Sequence, residues 1–256
     1  MKTFKLMLSA ALLTVSVGVS AQFANTTSKS SGAKSGSSVF VKDCNSYGRF
    51  SLSYSPLSFS YSSGSSSSYS SEDDEYKSLH GFRLSYLNGI SVSKKLPFFV
   101  EVGADLSFNT RKYSYGSDDD YKIRSTNMAI AIPIQATYKL AFNNGVYLAP
   151  YFGLHFKLNV LGQDKETYEG DDSGYDEDET AKWFKDDDYS GSGDEGYGYK
   201  RFQFGWQTGL NVGYKKFNFN IGYSGDSPIW KSKESYHGKK DKLKTGSLIV
   251  GIGVNL

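Results

Sequence analysis

The chain has 256 residues, of which 38% are hydrophobic, 22% are charged and 16% are aromatic, and it contains one cysteine. A single cysteine excludes an intramolecular disulfide framework and a metal centre built from cysteines. The formal net charge of +2 argues against a nucleic-acid-binding protein. The 27 Gly and 20 Tyr, with only five Pro, favour strands and turns over helices.

The N-terminal segment has the pattern of a secretory signal peptide. Lys2 and Lys5 precede an apolar run over residues 6–19, and small residues follow at the cleavage position. We therefore expect residues 1–21 to be removed, which leaves a neutral mature chain. The alternative, a transmembrane anchor, is disfavoured because the run is short and no charged stop follows it.

A second segment, residues 22–46, is rich in Ser, Gly and Thr, and it is interpreted as a flexible periplasmic linker. Its Cys44 is interpreted as an incidental thiol or as an intermolecular cross-link site. Residues 47–256 are expected to form the folded domain.

From Tyr47 onward, apolar residues alternate with small or polar ones, which is the period of a β-strand. The clearest run covers residues 98–108, where every second residue is apolar. In the first strand the alternation changes phase at Ser55-Pro56, and we expect a β-bulge there that returns Leu57 to the apolar face. Eight such segments are predicted: residues 50–61, 82–92, 98–108, 128–140, 146–160, 202–214, 217–223 and 248–256.

The connections between these segments alternate in length. Those after the second, fourth and sixth strands are short, and Gly145 occupies a turn position that needs positive φ. The other connections are long: residues 62–78, 110–125, 162–200 and 225–245. An all-β, eight-stranded antiparallel up-and-down transmembrane barrel has this pattern, with short periplasmic turns and long extracellular loops.

A soluble eight-stranded barrel of the lipocalin type would place the apolar face inside. We expect that face to point to lipid, because it carries more large side chains than a narrow interior holds. The opposite face is rich in Gly and in charged or amide residues, which are suited to a small lumen. Aromatic residues near strand ends, such as Phe108 and Tyr138, resemble the interfacial girdles of membrane barrels.

The sequences of two predicted strands carry a family resemblance. Ile132-Pro133-Ile134 followed by Tyr138-Lys139, and Pro150-Tyr151-Phe152-Gly153, are similar to strands of the Bacteroidota-type outer membrane β-barrel domain family. These are small PorT-like and OmpX-like barrels, and the resemblance covers residues 47–256. It implies a cell outer membrane location, with the loops at the cell surface, and it fixes no single activity.

Five charged residues on the inward face are expected to form a lumen network, because a lone charge there would be costly. Arg49, Arg83 and Arg201 would neutralise Glu101 and Asp105. Pairing the second and third strands about their turn places Ser85 opposite Asp105 and Gly89 opposite Glu101. A plug of paired side chains is favoured over a narrow ion path, since eight strands leave little free space.

The third long connection holds 14 acidic residues and the fourth is basic. No cofactor is expected, although calcium is a candidate ligand of the third long connection. Its Asp186, Asp188, Ser190 and Asp194 follow the first nine positions of a calcium loop, although Tyr197 replaces the bidentate Glu. A solvated acidic loop is the favoured interpretation.

Function is expected in the loops, which combine Tyr and Trp with Ser, Gly and Asp as adaptable recognition surfaces do. The partners expected are outer membrane lipid and a surface ligand or envelope protein, and no nucleic acid. A non-enzymatic barrel is favoured over a narrow channel or secretion-associated barrel, and over a lipid-modifying enzyme that would use Ser227 and His155.

Overall fold

The computed structural model describes most of the chain as one antiparallel sheet. The described residues are: 40–41, 43–62, 78–115, 121–168, 178–184, 198–231 and 241–256. The strands are: β1 (Phe40–Val41), β2 (Tyr47–Tyr54), β3 (Leu57–Ser62), β4 (His80–Ser91), β5 (Phe98–Tyr115), β6 (Tyr121–Tyr138), β7 (Leu140–Phe142), β8 (Val146–Tyr168), β9 (Asp178–Lys182), β10 (Phe202–Tyr214), β11 (Phe217–Asp226), β12 (Trp230–Lys231) and β13 (Lys242–Asn255).

The sheet closes on itself. Neighbours follow the order β8, β10, β11, β13, β2, β4, β5 and β6, and β6 pairs again with β8. Strand β3 continues β2 along the edge of β13. This gives a ring of eight antiparallel strands, which confirms the fold class expected from the sequence.

The apolar residues lie on the outside of the ring. Phe98, Leu106 and Phe108 are exposed, whereas the neighbouring Phe99, Glu101 and Asp105 are buried. The same alternation runs through β10 and β11, whose Phe, Trp and Tyr side chains point outward. The core of the ring is therefore polar and its exterior is apolar. A closed sheet with such an exterior requires a hydrocarbon environment.

The height of the apolar surface fits a bilayer. From Phe98 to Phe108, a strand rising about 3.4 Å per residue and tilted about 40° climbs roughly 26 Å, close to the height of a membrane barrel's apolar band. In the described part of the chain, no helix has the length and hydropathy needed to cross a membrane.

The predicted register of β4 and β5 is confirmed, with Ser85 opposite Asp105 and Gly89 opposite Glu101. The predicted turn glycine is also confirmed, because Gly145 has a φ of 84°.

The expected bulge at Ser55-Pro56 is wrong. Tyr54 pairs with Val250 and Leu57 pairs with Ser247, so the register with β13 is unbroken across the proline. Leu57 therefore keeps the inward direction of Ser55 and is 2% exposed. The apolar residues change face because β3 has left the lipid. Above the lipid, the inward Leu57 packs against Leu79 and Trp183.

The loop expected over residues 110–125 is shorter than predicted. Strand β5 continues to Tyr115 and β6 begins at Tyr121, and the two are paired along this length. The apolar alternation ends near Phe108 because the lipid ends there, while the hydrogen-bonded ladder continues into water. A register shift does occur between β6 and β8, where Met128 pairs with Leu161 and Ala129 pairs with Asn159, so Val160 of β8 is the extra residue.

Part of the segment interpreted as a linker joins the sheet. Phe40 pairs with Phe142 and Val41 with Ala141, so β1 adds a short strand beside β7. The predicted leader, residues 1–21, and most of the predicted linker lie outside the described residues.

Candidate functional site: a filled lumen and an anchored third loop

The lower lumen is built around one buried carboxylate. Glu101, with no exposed surface, pairs with Arg49 across 2.9 Å and accepts a hydrogen bond from the Thr137 hydroxyl at 2.9 Å. It also accepts hydrogen bonds from the Tyr47 hydroxyl and from the side-chain amide of Gln135. Four donors from other strands converge on this carboxylate, so its charge is compensated without water.

The periplasmic mouth is closed by a lysine. The Lys139 ammonium lies 2.6 Å from the Asp43 carboxylate, and 5.1 and 4.9 Å from the ring centroids of Tyr47 and Tyr147. The Tyr147 hydroxyl accepts a 2.7 Å hydrogen bond from Asn255. Asp43 comes from the segment before the barrel, so that segment helps to close the tube.

Amides and a phenol fill the middle of the lumen. Asn220 donates to Asn211 at 2.8 Å and lies within hydrogen-bond distance of the Tyr151 hydroxyl. Gln207 donates to Gln135 at 2.6 Å, which links this layer to the carboxylate below.

A second buried carboxylate organises the upper lumen. Asp226 contacts the His155 Nε2 and the Lys157 ammonium, each at 2.6 Å, and accepts a hydrogen bond from Thr245 at 2.7 Å. Sequence reasoning missed this cluster because it assigned Asp226 to the fourth loop. The sequence signal that could have revealed this cluster is the alternation of β8, which places His155 and Lys157, two residues apart, on the inward face.

The Arg83 and Asp105 side chains meet between the two clusters. Their charged atoms are 3.7 Å apart, and Arg83 also donates to Ser224 at 3.3 Å. The cavity beside them, which His155 also lines, holds about 20 Å³. That is room for about one water molecule, so the described lumen is packed rather than open.

Arg201 does not join the lumen network. It is exposed, donates to the Val160 carbonyl at 3.2 Å, and its guanidinium lies 4.9 Å from the Phe184 ring centroid. Strand β10 begins one residue later, at Phe202, so Arg201 lies above the lumen. The structure thus pairs Arg49 with Glu101 and Arg83 with Asp105, and it separates Arg201 from both.

Ser227 and His155 do not form a nucleophile and base. The Ser227 hydroxyl accepts a hydrogen bond from the Phe204 amide, and its neighbour Asp226 is the residue that contacts His155. Among the described residues, no serine hydroxyl is bonded to the His155 ring.

Glycines allow these lumen contacts to form. Tyr47 lies opposite Gly89 on the next strand, and Gly89 lies opposite Glu101 on the strand after that. A Cβ on Gly89 would fall 2.7 Å from the Tyr47 ring, so only glycine lets the phenol cross to the carboxylate. We call the glycines that face a large lumen side chain the crossing glycines: Gly89, Gly205, Gly209 and Gly213.

An apolar cap lies above the polar lumen. Leu57 and Leu79 pack with Trp183, which follows β9 in the third loop and is 3% exposed. Partly buried aromatic residues complete the cap: Phe59, Phe184 and Tyr199. Strand β9 is itself paired with β8, so this part of the third loop is fixed to the barrel by a ladder and by a small core.

The calcium candidates Asp186, Asp188, Ser190 and Asp194 lie outside the described residues. Elsewhere in the described chain, no group of three His, Cys, Asp or Glu residues is arranged to hold a metal.

The comparisons with known proteins agree with this architecture. A family model described as outer membrane protein beta-barrel domain matches residues 11–225. The chain belongs to this family. The protein is an outer membrane β-barrel that sits in lipid, with its long loops at the cell surface.

Solved structures similar to this outer membrane β-barrel have low sequence identity. Ail, the attachment invasion locus protein of Yersinia pestis, solved with the heparin analogue sucrose octasulfate, is 15% identical with a TM-score of 0.38 over 82% of this chain and 99% of its own. Neisserial surface protein A is 16% identical, with a TM-score of 0.37 over 82% and 96%. A major outer membrane protein from Thermus thermophilus is 13% identical, with a TM-score of 0.41 over 82% and 99%. No curated protein matches the chain.

Proposed function

We propose that this outer membrane β-barrel is a non-enzymatic surface protein that binds a ligand or an envelope partner through its loops, chiefly the acidic third loop. The sequence predicts this loop over residues 162–200, and in the structure it connects the end of β8 at Tyr168 to the start of β10 at Phe202. The observation that carries the proposal is the anchoring of this loop by Trp183 and β9. A loop held at a fixed place above a rigid wall is a suitable recognition element, because less ordering is needed on binding.

The filled lumen supports a role for the loops rather than for the interior. The cavity beside Arg83 and Asp105 holds about 20 Å³, and Lys139 closes the periplasmic mouth. Binding chemistry is therefore concentrated outside the tube. The third loop contains acidic residues in excess, so the partner we favour presents basic groups.

The experiment is cross-linking on intact cells followed by capture of the tagged barrel. One variant changes the acidic residues of the third loop to Asn or Gln, and leaves β9 and Trp183 intact. The matched control changes the lysines of the fourth loop to Gln: Lys231, Lys233, Lys239, Lys240, Lys242 and Lys244. Partners lost with the first variant and kept with the control support the proposal. An identical set of partners for all three proteins contradicts it.

Calcium is a candidate ligand within this proposal. The spacing of Asp186, Asp188 and Asp194 supports it. Isothermal titration of the folded barrel with Ca²⁺ tests it, with Asp186→Asn/Asp188→Asn as the variant, and absence of heat from the parent protein contradicts it.

Two finer assignments complete the proposal. The motifs around Pro133 and Pro150 support membership of the Bacteroidota-type PorT-like and OmpX-like group within the family. Removal of residues 1–21 is supported by the leader pattern, and the N-terminal mass of the protein purified from membranes tests it.

A further inference from the structure

A row of cations crosses the outer face of the barrel just above the lipid. Lys112 on β5 lies directly opposite Arg124 on β6, and Arg124 lies opposite Lys165 on β8. We call these three residues the basic row. Lys112 and Arg124 are exposed, and among the described residues neither has an acidic partner.

The pairing of Lys112 with Arg124 is unfavourable for the protein alone. Residues directly opposite on antiparallel strands have Cβ atoms about 5 Å apart, and like charges there repel. The acidic residues of the same stretch, Asp164 and Glu166, alternate with Lys165 along β8 and therefore belong to the other face of the sheet. On β5 and β6 this leaves Lys112 and Arg124 as adjacent like charges on the outer face, and an external anion would relieve their repulsion.

The basic row also has a defined height. Below it lies a polar row, in which Thr110 is opposite Thr126, and below that Phe108 is opposite Met128. Phe108 is 45% exposed and marks the upper edge of the apolar band. Four residues of tilted strand separate Phe108 from Lys112, which is about 10 Å along the membrane normal.

These residues line one open groove of about 590 Å³. Its lining is basic and hydroxylic above and aromatic below: Lys112, Arg124, Arg111, His80, Thr110, Thr126 and Phe108. Two side chains are already engaged within the protein, since Arg111 donates to the Ser78 carbonyl and His80 bonds to the Tyr54 hydroxyl. Lys112 and Arg124 are left to face the ligand.

We propose that this groove binds the phosphate groups of an outer-leaflet glycolipid of the lipid A class. Lys112 and Arg124 would pair with phosphate oxygens, and Phe108 would contact the first part of an acyl chain. Two observations favour a lipid over a soluble polyanion: the cations lie at headgroup height, and the aromatic floor of the groove is continuous with the lipid-facing wall. The site lies on the wall and does not depend on what the third loop binds.

The test uses the full processed chain, folded in a neutral detergent and titrated with bisphosphorylated lipid A, with native mass spectrometry to count retained lipid. Lys112→Gln/Arg124→Gln is expected to weaken retention roughly 30-fold, because it removes two cations at headgroup height. The matched control is Lys94→Gln/Lys95→Gln in the exposed turn after β4, which removes the same charge at the other end of the barrel. It is expected to retain lipid A as the parent does.

Three results would overturn the proposal. The double variant could retain bisphosphorylated lipid A as well as the parent protein does. The parent protein could also retain dephosphorylated lipid A, or phosphatidylglycerol, as well as it retains bisphosphorylated lipid A. Folding is checked by heat-modifiable migration of the barrel in electrophoresis. If the double variant does not fold, the single variants are measured, and unchanged retention by both contradicts the proposal.

Discussion

At the residue scale, the barrel depends on two buried carboxylates, each compensated by neighbours from other strands. Glu101 binds Arg49 at the lower level, and Asp226 binds His155 and Lys157 at the upper level. Desolvated ions of this kind contribute little net stability as pairs, but removing one partner leaves an uncompensated charge. Each cluster is therefore expected to tolerate the loss of both charges better than the loss of one.

The first prediction concerns the lower pair. Glu101→Ala leaves the Arg49 guanidinium buried without a counter-ion, and it should lower the free energy of unfolding by about 3–5 kcal/mol. Urea unfolding in lipid vesicles, followed by tryptophan fluorescence, measures this. In the double variant Arg49→Met/Glu101→Leu most of the loss should be recovered, and a double variant as unstable as the single one would contradict the explanation.

The second prediction concerns a crossing glycine. His155 reaches Asp226 across Gly205, and a Cβ on Gly205 would lie 2.3 Å from the His155 Nε2. Gly205→Ala should therefore destabilise the barrel by about 1–3 kcal/mol through overpacking.

The matched control for that prediction is Gly225→Ala on the neighbouring strand. Its added Cβ would lie 3.1 Å from Trp206 on the outer face, where the indole can shift. The same unfolding measurement should show a smaller loss, and equal losses would contradict a role for the crossing geometry.

At the element scale, the predicted strands agree with the sheet where they face lipid and differ where they leave it. The alternation from Phe98 to Phe108 is readable because lipid on one side and a polar lumen on the other impose opposite chemistry. Beyond Phe108 both faces meet water, so the extension to Tyr115 carries no apolar period. For the same reason the phase change at Leu57 resembles a bulge in the sequence, although it marks the start of the cap.

The candidate site is predictable only in part. The register about the short turn after β4 brings Arg83 near Asp105, because a strand pair about such a turn has few alternatives. Arg49 comes from β2, before a long connection, so the alternation predicts it in the lumen but does not identify Glu101 as its partner. The alternation of a strand shows which face a residue lies on, but not how far along the barrel axis it lies. The alternation therefore predicts Arg201 in the lumen, although this residue lies above the lumen. The link from Trp183 to Leu57 joins residues far apart in sequence, and no local pattern predicts it.

The third prediction tests the cap. Trp183→Ala removes the side chain that packs on Leu57 and Leu79, so the third loop should be held to the barrel only by the ladder between β8 and β9. Limited proteolysis of the folded protein in vesicles should then cut between Tyr168 and Phe202 several-fold faster, with the wall intact. Trp206→Ala on the lipid-facing surface is the matched control, and equal cleavage of both variants would contradict the anchoring role.

At the scale of the whole molecule, the interior is a packed polar core. Side chains from the ring strands fill it from Lys139 at the periplasmic mouth to the cap at the outer end. We predict that the protein in planar bilayers shows no stable single-channel openings, because ions would have to displace paired charges. Regular openings by the parent protein would favour the channel alternative, and Lys139→Ala provides a comparison in which the mouth alone is altered.

Closure of the ring also brings the two ends of the barrel domain together. Asn255 lies opposite Arg49, and the Leu256 amide donates to the Gly48 carbonyl at 2.8 Å. A short peptide could therefore join them, and the polypeptide could be cut open at Lys215 and Lys216, between β10 and β11, without changing any neighbour in the wall. Such a circularly permuted barrel would begin and end elsewhere, and yet it would keep the same lumen, cap and outer surface.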